Sequence, residues 1–313
     1  MTGVFTQAFF ISALAATIRF AAPILLAALG AIYTQRSGIL NLGLEGTMTI
    51  GAVTAFITAY YTGSLFAGMV AAMVSGVIFT MIMAWLSITV RANQVIAGTA
   101  MTILGIGLSA FIYRSVFGIR SLPPQITPFA VARIPILSDL PFLGPVFFEH
   151  NILVYLSFIL VFITWIVLEK TVLGLNIKMV GEHPRAADSK GVNVQLTRYR
   201  AMMIEGLYAG AAGAFMSTAY MNLFLDTIIT GRGFIAIAVV IFARWQPHRA
   251  MIGALIFGFA SALQLRFQAM GVNIPNQFLL MFPYVLTILV LISVSKKAEF
   301  PSAYTQPYSR MEG

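Results

Sequence analysis

Charge is what this sequence has least of. Asp, Glu, Lys and Arg make up 9% of its 313 residues, against about 25% in an ordinary soluble domain. So few charges cannot cover a water-facing surface, so most of the surface must face lipid. Cysteine is absent, which excludes disulfides and cysteine metal sites. The three histidines, His150, His183 and His248, lie far apart in the chain, so neither a metal site nor a catalytic constellation is expected. No G-x-x-x-x-G-K-[ST] run occurs, so the chain cannot cradle ATP phosphates by that route. The first 18 residues hold no Lys or Arg, so the basic start of a cleavable signal peptide is missing.

What is present is apolar. Hydrophobic residues make up 59% of the chain. A helix needs about 20 such residues to cross the hydrocarbon core. Breaks at charges, Pro/Gly clusters and polar turns leave nine candidate spans: roughly 8–34, 44–61, 65–90, 95–113, 151–168, 203–223, 228–243, 250–269 and 278–295. A tenth could be hidden as a re-entrant or broken segment. The expected fold is an all-α integral membrane protein of about 9–10 helices, some of them broken, with an internal repeat. Residues 1–313 form one transmembrane domain.

The net charge of +9 fits basic loops on one side of a membrane better than a nucleic-acid partner. Threading nine spans puts Arg36, Arg91, the stretch from Lys170 to Arg200, Arg244, Arg249, Lys296, Lys297 and Arg310 on one side. That side is read as cytoplasmic. Arg114, Arg120, Arg133 and Arg266 fall on the other, and Arg19 and Arg232 fall within spans or at their edges. Residues 118–150 carry six prolines and read as a stiff, extended external loop. Residues 170–200 form the longest internal loop.

Within that internal loop, Pro184 suits the first position of a helix and Gly191 the residue after its end. Between them lies a short polar helix, readable as a solvated connector or as a peg that docks into another protein. Here a resemblance enters. Ala186-Ala187 followed by Gly191 is similar to the Ala-Ala-x-x-x-Gly core of the coupling loop in permeases of binding-protein-dependent ABC importers. Arg185 stands where that loop usually has an acidic residue. Asn41-Leu42-Gly43-Leu44-Glu45-Gly46 resembles the N-L-G-x-E-G signature of the simple-sugar and nucleoside branch of the ribose and branched-chain amino-acid permease family. Arg91-Ala92-Asn93-Gln94-Val95-Ile96 and the tail Gln306-Pro307-Tyr308-Ser309-Arg310 also resemble that branch.

The resemblance implies a non-catalytic subunit in a bacterial cell membrane that forms a pathway for a nucleoside, purine or simple sugar. ATP and Mg would sit on a partner ATPase, and no cofactor would bind this chain. The other implied partners are an extracytoplasmic binding protein and a second, homologous permease subunit. Gly181, Pro184, Arg185, Ala186, Ala187, Asp188 and Gly191 would couple to the ATPase.

Two segments share a character. Gly43-Leu44-Glu45-Gly46 and Thr230-Gly231-Arg232-Gly233 each place glycines and polar groups at a membrane edge, then continue as apolar runs. They read either as simple edge turns or as paired broken helices lining a pathway. Glu45 could cap a broken helix or pair with a cation. Arg232 could face the pathway or hold its loop. Asn41, Asn93, Gln94 and Asn222 are neutral groups suited to a polar, uncharged solute. The candidate pathway residues are therefore Asn41, Gly43, Glu45, Gly46, Asn93, Gln94, Gly231, Arg232 and Gly233.

Gly98, Gly105, Gly206, Gly210 and Gly213 have spacings that allow close helix packing. Gly105-Ile106-Gly107-Leu108-Ser109-Ala110 matches a dinucleotide fingerprint, but it sits in or at the end of a span, where that fold cannot form. The competing function is a stand-alone secondary transporter or channel. Such carriers bury carboxylates as ion sites, and a docking peg has no obvious use in them.

Overall fold

The computed structural model describes residues 7–119, 122–133, 135, 137–270, 275–295 and 300–309. The expected features at Arg120, the turn at 271–274, Lys296, Lys297 and Arg310 lie outside the described residues. Within them the protein is a helical bundle. Its helices are α1 (Gln7–Arg36), α2 (Leu44–Thr62), α3 (Leu65–Ala84), α4 (Gln94–Phe117), α5 (Ile152–Lys170), α6 (Val172–Glu182), α7 (Pro184–Ser189), α8 (Val194–Phe215), α9 (Arg232–Phe242), α10 (Pro247–Ala269) and α11 (Asn276–Ser295). Each of the nine expected spans overlaps one of them, and α6 and α7 occupy the internal loop.

Five of these stretches are long and apolar enough to cross a membrane: Phe9–Arg36, Leu65–Thr89, Gln94–Phe117, Ile152–Lys170 and Pro247–Ala269. Helices α2 and α8 are less apolar for a physical reason. Both lie inside the bundle, where helix neighbours replace lipid, so small and polar residues serve them better than leucine does. Each of the five packing glycines meets a neighbouring backbone. A Cβ at Gly105 would stand 2.5 Å from Gly46 Cα, and one at Gly213 would stand 2.0 Å from the Met48 carbonyl oxygen. Gly98, Gly206 and Gly210 make equally close approaches to Leu42, Val77 and Ala72.

Helix ends follow local chemistry. The side chains of Asn93, Asn151 and Asn193 each accept a backbone N–H from the first turn of the helix they precede, which satisfies an otherwise orphaned donor. Two long helices end in π-helical turns, Trp85–Thr89 after α3 and Met216–Tyr220 after α8. Such turns often mark functional ground.

The two ends of the bundle differ. At one end Arg36, Arg244, Arg249, Glu182 and Ser302 line a common cavity of about 500 Å³, so loops distant in sequence gather there. We call this the basic end. At the other, Arg114 pairs with Asp226 at 2.7 Å and Arg266 lies 5.3 Å from the Phe9 ring centroid.

The proline-rich loop is docked on the bundle rather than simply extended. Ile126 N–H donates to the Asn222 carbonyl at 3.0 Å and Phe129 N–H to that of Thr218 at 3.4 Å. Its strands β1 (Val131–Arg133) and β2 (Glu149–Asn151) pair antiparallel.

Candidate functional site

Helix α9 has 11 residues and rises only about 16 Å at 1.5 Å per residue. That is about half of the hydrocarbon core. Its C-terminal end leads into Arg244 and Trp245 at the basic end, where the Trp245 indole donates to Gln35 Oε1 at 2.9 Å. Its N-terminus therefore lies near mid-depth. Non-helical backbone from 222 to 231 covers the remaining distance. Backbone of that kind survives in a bilayer only where protein or water satisfies it.

A second break precedes α2. From Ser37 the chain leaves α1, turns at Gly38 and runs without regular structure to Gly43. The two breaks meet. Glu45 accepts the Gly231 N–H at 2.7 Å, and the backbone N–H groups of Phe234 and Gly233 also face its carboxylate. A carboxylate from α2 thus caps the N-terminus of α9, where orphan donors and the helix dipole favour a negative charge. The approach depends on Gly233, where a Cβ would stand 2.7 Å from Glu45 Cα. Gly231, with φ of +76°, supplies the left-handed turn that starts the helix.

Arg232 makes its hydrogen bonds elsewhere than to Glu45. Its Nη1 donates to the carbonyls of Ile228 and Ile229, both at 3.0 Å, and its guanidinium lies 5.7 Å from the Tyr220 ring centroid. Both charges at the break are used on backbone groups, so the break is held without a direct ion pair. Arg232 lines a cavity of about 260 Å³ together with Tyr220, Thr230, Ser261, Gln264 and Tyr284. The Tyr284 hydroxyl donates to the Thr230 carbonyl at 2.8 Å.

Asn41, Gly43, Gly46 and Gln94 are buried, whereas Asn93 is exposed. Asn41 is 2% exposed. Its Nδ2 donates to Glu205 Oε2 at 2.9 Å, and its Oδ1 accepts the Gly43 N–H at 2.8 Å. Gly43 and Gly46 pack on Met101 and Thr102 of α4. Gln94 Oε1 accepts the Leu40 N–H at 2.8 Å, and Asn93 caps α4. Asn41 and Gln94 hold the first break in place, whereas Gly231 and Arg232 adjoin the cavity.

Glu205, Tyr220 and Tyr284 were not singled out from sequence. For Glu205 a signal existed. It is a lone carboxylate within an apolar span, and such a residue is functional by default.

At the basic end, α7 begins at Pro184 and displays Arg185 and Ala186 outward, while Ala187 is buried. Gly191, at φ of +83°, lets the Val192 N–H return to the Ala187 carbonyl at 3.0 Å and closes the helix. Gly181 passes so close to α1 that a Cβ would overlap the Arg36 carbonyl. The internal loop thus holds two helices rather than the single one expected. Helix α6 was hidden because its short apolar run follows α5 with no turn signal except Thr171, whose side chain caps it.

A family model described as the permease component of the branched-chain amino acid transport system matches residues 13–291. The chain is 39% identical over 305 residues to the guanosine ABC transporter permease protein NupQ of Bacillus subtilis, covering 94% of this chain and 95% of that one. It is 38% identical over 322 residues to a putative glucose ABC transporter permease protein of Haloferax volcanii, covering 94% and 96%. A weaker likeness, 22% over 267 residues, covering 82% and 74%, links it to NupP, a second guanosine permease protein of Bacillus subtilis. No solved structure matches.

Proposed function

This chain belongs to the permease-component family of branched-chain amino acid transport systems, and from its ABC permease relatives we propose that it carries a nucleoside through the membrane in an ATP-driven importer. The permease role itself follows from membership together with the ABC permease relatives. It displaces the stand-alone carrier as a reading. The observation that carries the solute pathway is the meeting of the two breaks at Glu45 and Gly231. A polar backbone at mid-depth is tolerable where it borders a hydrated route, and the Arg232 cavity adjoins it.

The nucleoside reading rests on the guanosine permease relative, and the glucose relative makes a hexose the natural competitor. The importer sits in the bacterial cell membrane with its basic end in the cytoplasm. There α7, with Gly181, Pro184, Arg185, Ala186, Ala187, Asp188 and Gly191, meets a separate ATPase that holds ATP and Mg. An extracytoplasmic binding protein delivers the solute.

The second permease is a homologue rather than a copy, because Bacillus subtilis has two guanosine permease proteins that resemble this chain to very different degrees. Residues 1–313 act as one domain. The test is uptake into proteoliposomes holding the reconstituted complex. ATP-dependent guanosine accumulation, undiminished by excess glucose, is expected. Accumulation without ATP, or competition by glucose and not by nucleosides, would overturn the reading.

A further inference from the structure

The C-terminal tail was expected only to resemble a branch signature, yet residues 300–309 are bound to four separate elements. The Ala303 N–H donates to the Gly181 carbonyl at 2.9 Å, and the Thr305 N–H to the Gly38 carbonyl at 2.9 Å. Ser302 donates its N–H and its hydroxyl to Glu182 Oε2, both at 3.1 Å. Tyr308 packs on the small cluster of Val180, Ala187 and Val194, which includes the buried alanine of α7. The tail therefore touches the end of α6, the underside of α7, the start of α8 and the turn that opens the first break.

One buried side chain fastens the assembly. Arg198 of α8 is 1% exposed. Its Nε donates to the Ser37 carbonyl and its Nη1 to the Gln306 carbonyl, each at 3.2 Å. A Cβ at Gly38 would stand 3.2 Å from its Nη2. One planar guanidinium thus joins tail, α8 and break, which a point-charge lysine cannot do with the same geometry. From Gly38 the chain runs to Asn41, which is tied to Glu205, and then to Glu45, which caps α9.

We infer that the tail is a strap carrying displacement of α7 to the Gly38–Gly46 break, with Arg198 as the positioning residue that fastens it. The inference rests on the importer reading. A shift of α7 pulls on Tyr308, the adjoining end of α6 pulls on Ala303, and through Thr305 and Arg198 the strap moves the turn at Gly38. Packed interiors transmit such shifts because they deform little. The α7–ATPase contact starts this chain of contacts, and the strap is its continuation into the membrane.

The test uses the whole importer in proteoliposomes and reads solute imported per ATP hydrolysed. Arg198→Gln and Tyr308→Ala are expected to assemble with the ATPase and hydrolyse ATP within about twofold of wild type, yet to import at least tenfold less per ATP. Arg198→Lys should fall between. Tyr308 is only half-buried, unlike Arg198, so Tyr308→Ala decides the matter if Arg198→Gln fails to assemble. Wild-type import per ATP in both variants would overturn the strap. So would parallel loss of hydrolysis and import, which would mark a docking or folding role. Absence of ATP-driven uptake in wild type would instead overturn the importer reading.

Discussion

Replacing Glu45 by alanine removes the carboxylate that joins the two breaks. The residue is 6% exposed and accepts the Gly231 N–H at 2.7 Å. A hydrogen bond to a charged group is worth about 1.5–3 kcal/mol. A charge at a helix N-terminus adds up to about 2 kcal/mol in a partly buried setting. Against this, alanine no longer has a buried carboxylate to desolvate. That relief is partial, because the donors at the start of α9 stay buried without a partner. The net loss is about 2 kcal/mol, roughly a 30-fold shift in favour of separated breaks. In a chain this size that lowers the melting temperature by about 3 °C. Glu45→Gln keeps an acceptor oxygen and loses only the charge, so about half that change is expected. Thermal unfolding in detergent and initial uptake rates in proteoliposomes read the two consequences. Alanine and glutamine variants that both melt within about 1 °C of wild type, with unchanged uptake, would refute the capping argument.

Two further perturbations follow from the same geometry. Gly191→Val should uncouple ATP hydrolysis from uptake, because a β-branched residue resists the φ of +83° found there at a cost of about 1–2 kcal/mol; Gly191→Asn should be milder, and equal uptake per ATP in both would refute the assigned turn. Gly233→Ala should lower both stability and uptake, because the added Cβ would stand 2.7 Å from Glu45 Cα and overpacking costs about 1–3 kcal/mol. A fully active, fully stable Gly233→Ala variant would show that the breaks need not touch.

The spans were legible because lipid imposes a length and a composition on each one. Local chemistry marked the ends of α7, with Pro184 at the start and Gly191 beyond the finish. What stayed hidden depended on partners distant in sequence. Helix α8 begins at Val194, well before the expected 203. The polar run around Arg198 reads as loop until the tail and Ser37 supply its acceptors, although Asn193 was a cap signal in plain view. Asn41 and Gln94 were legible as hydrogen-bonding groups, but not as groups already engaged by Glu205 and Leu40. The proline-rich loop showed its stiffness in sequence, while its docking on Thr218 and Asn222 required the fold.

The central claim is that the paired breaks border the solute route, and cysteine accessibility tests it most directly because the native chain has none. Single cysteines at Asn41, Leu42, Thr230 and Arg232 would be exposed to a membrane-impermeant thiol reagent, with and without ATP trapped on the partner. Thr230 is exposed and Arg232 half-buried beside the cavity, whereas Asn41 is buried and Leu42 half-buried at the first break. Labelling at 230 and 232 in the resting importer is expected, with 41 and 42 becoming reactive once nucleotide is trapped. Cysteines unreactive at all four positions in both states would show that the segments are packed turns and that the solute passes elsewhere.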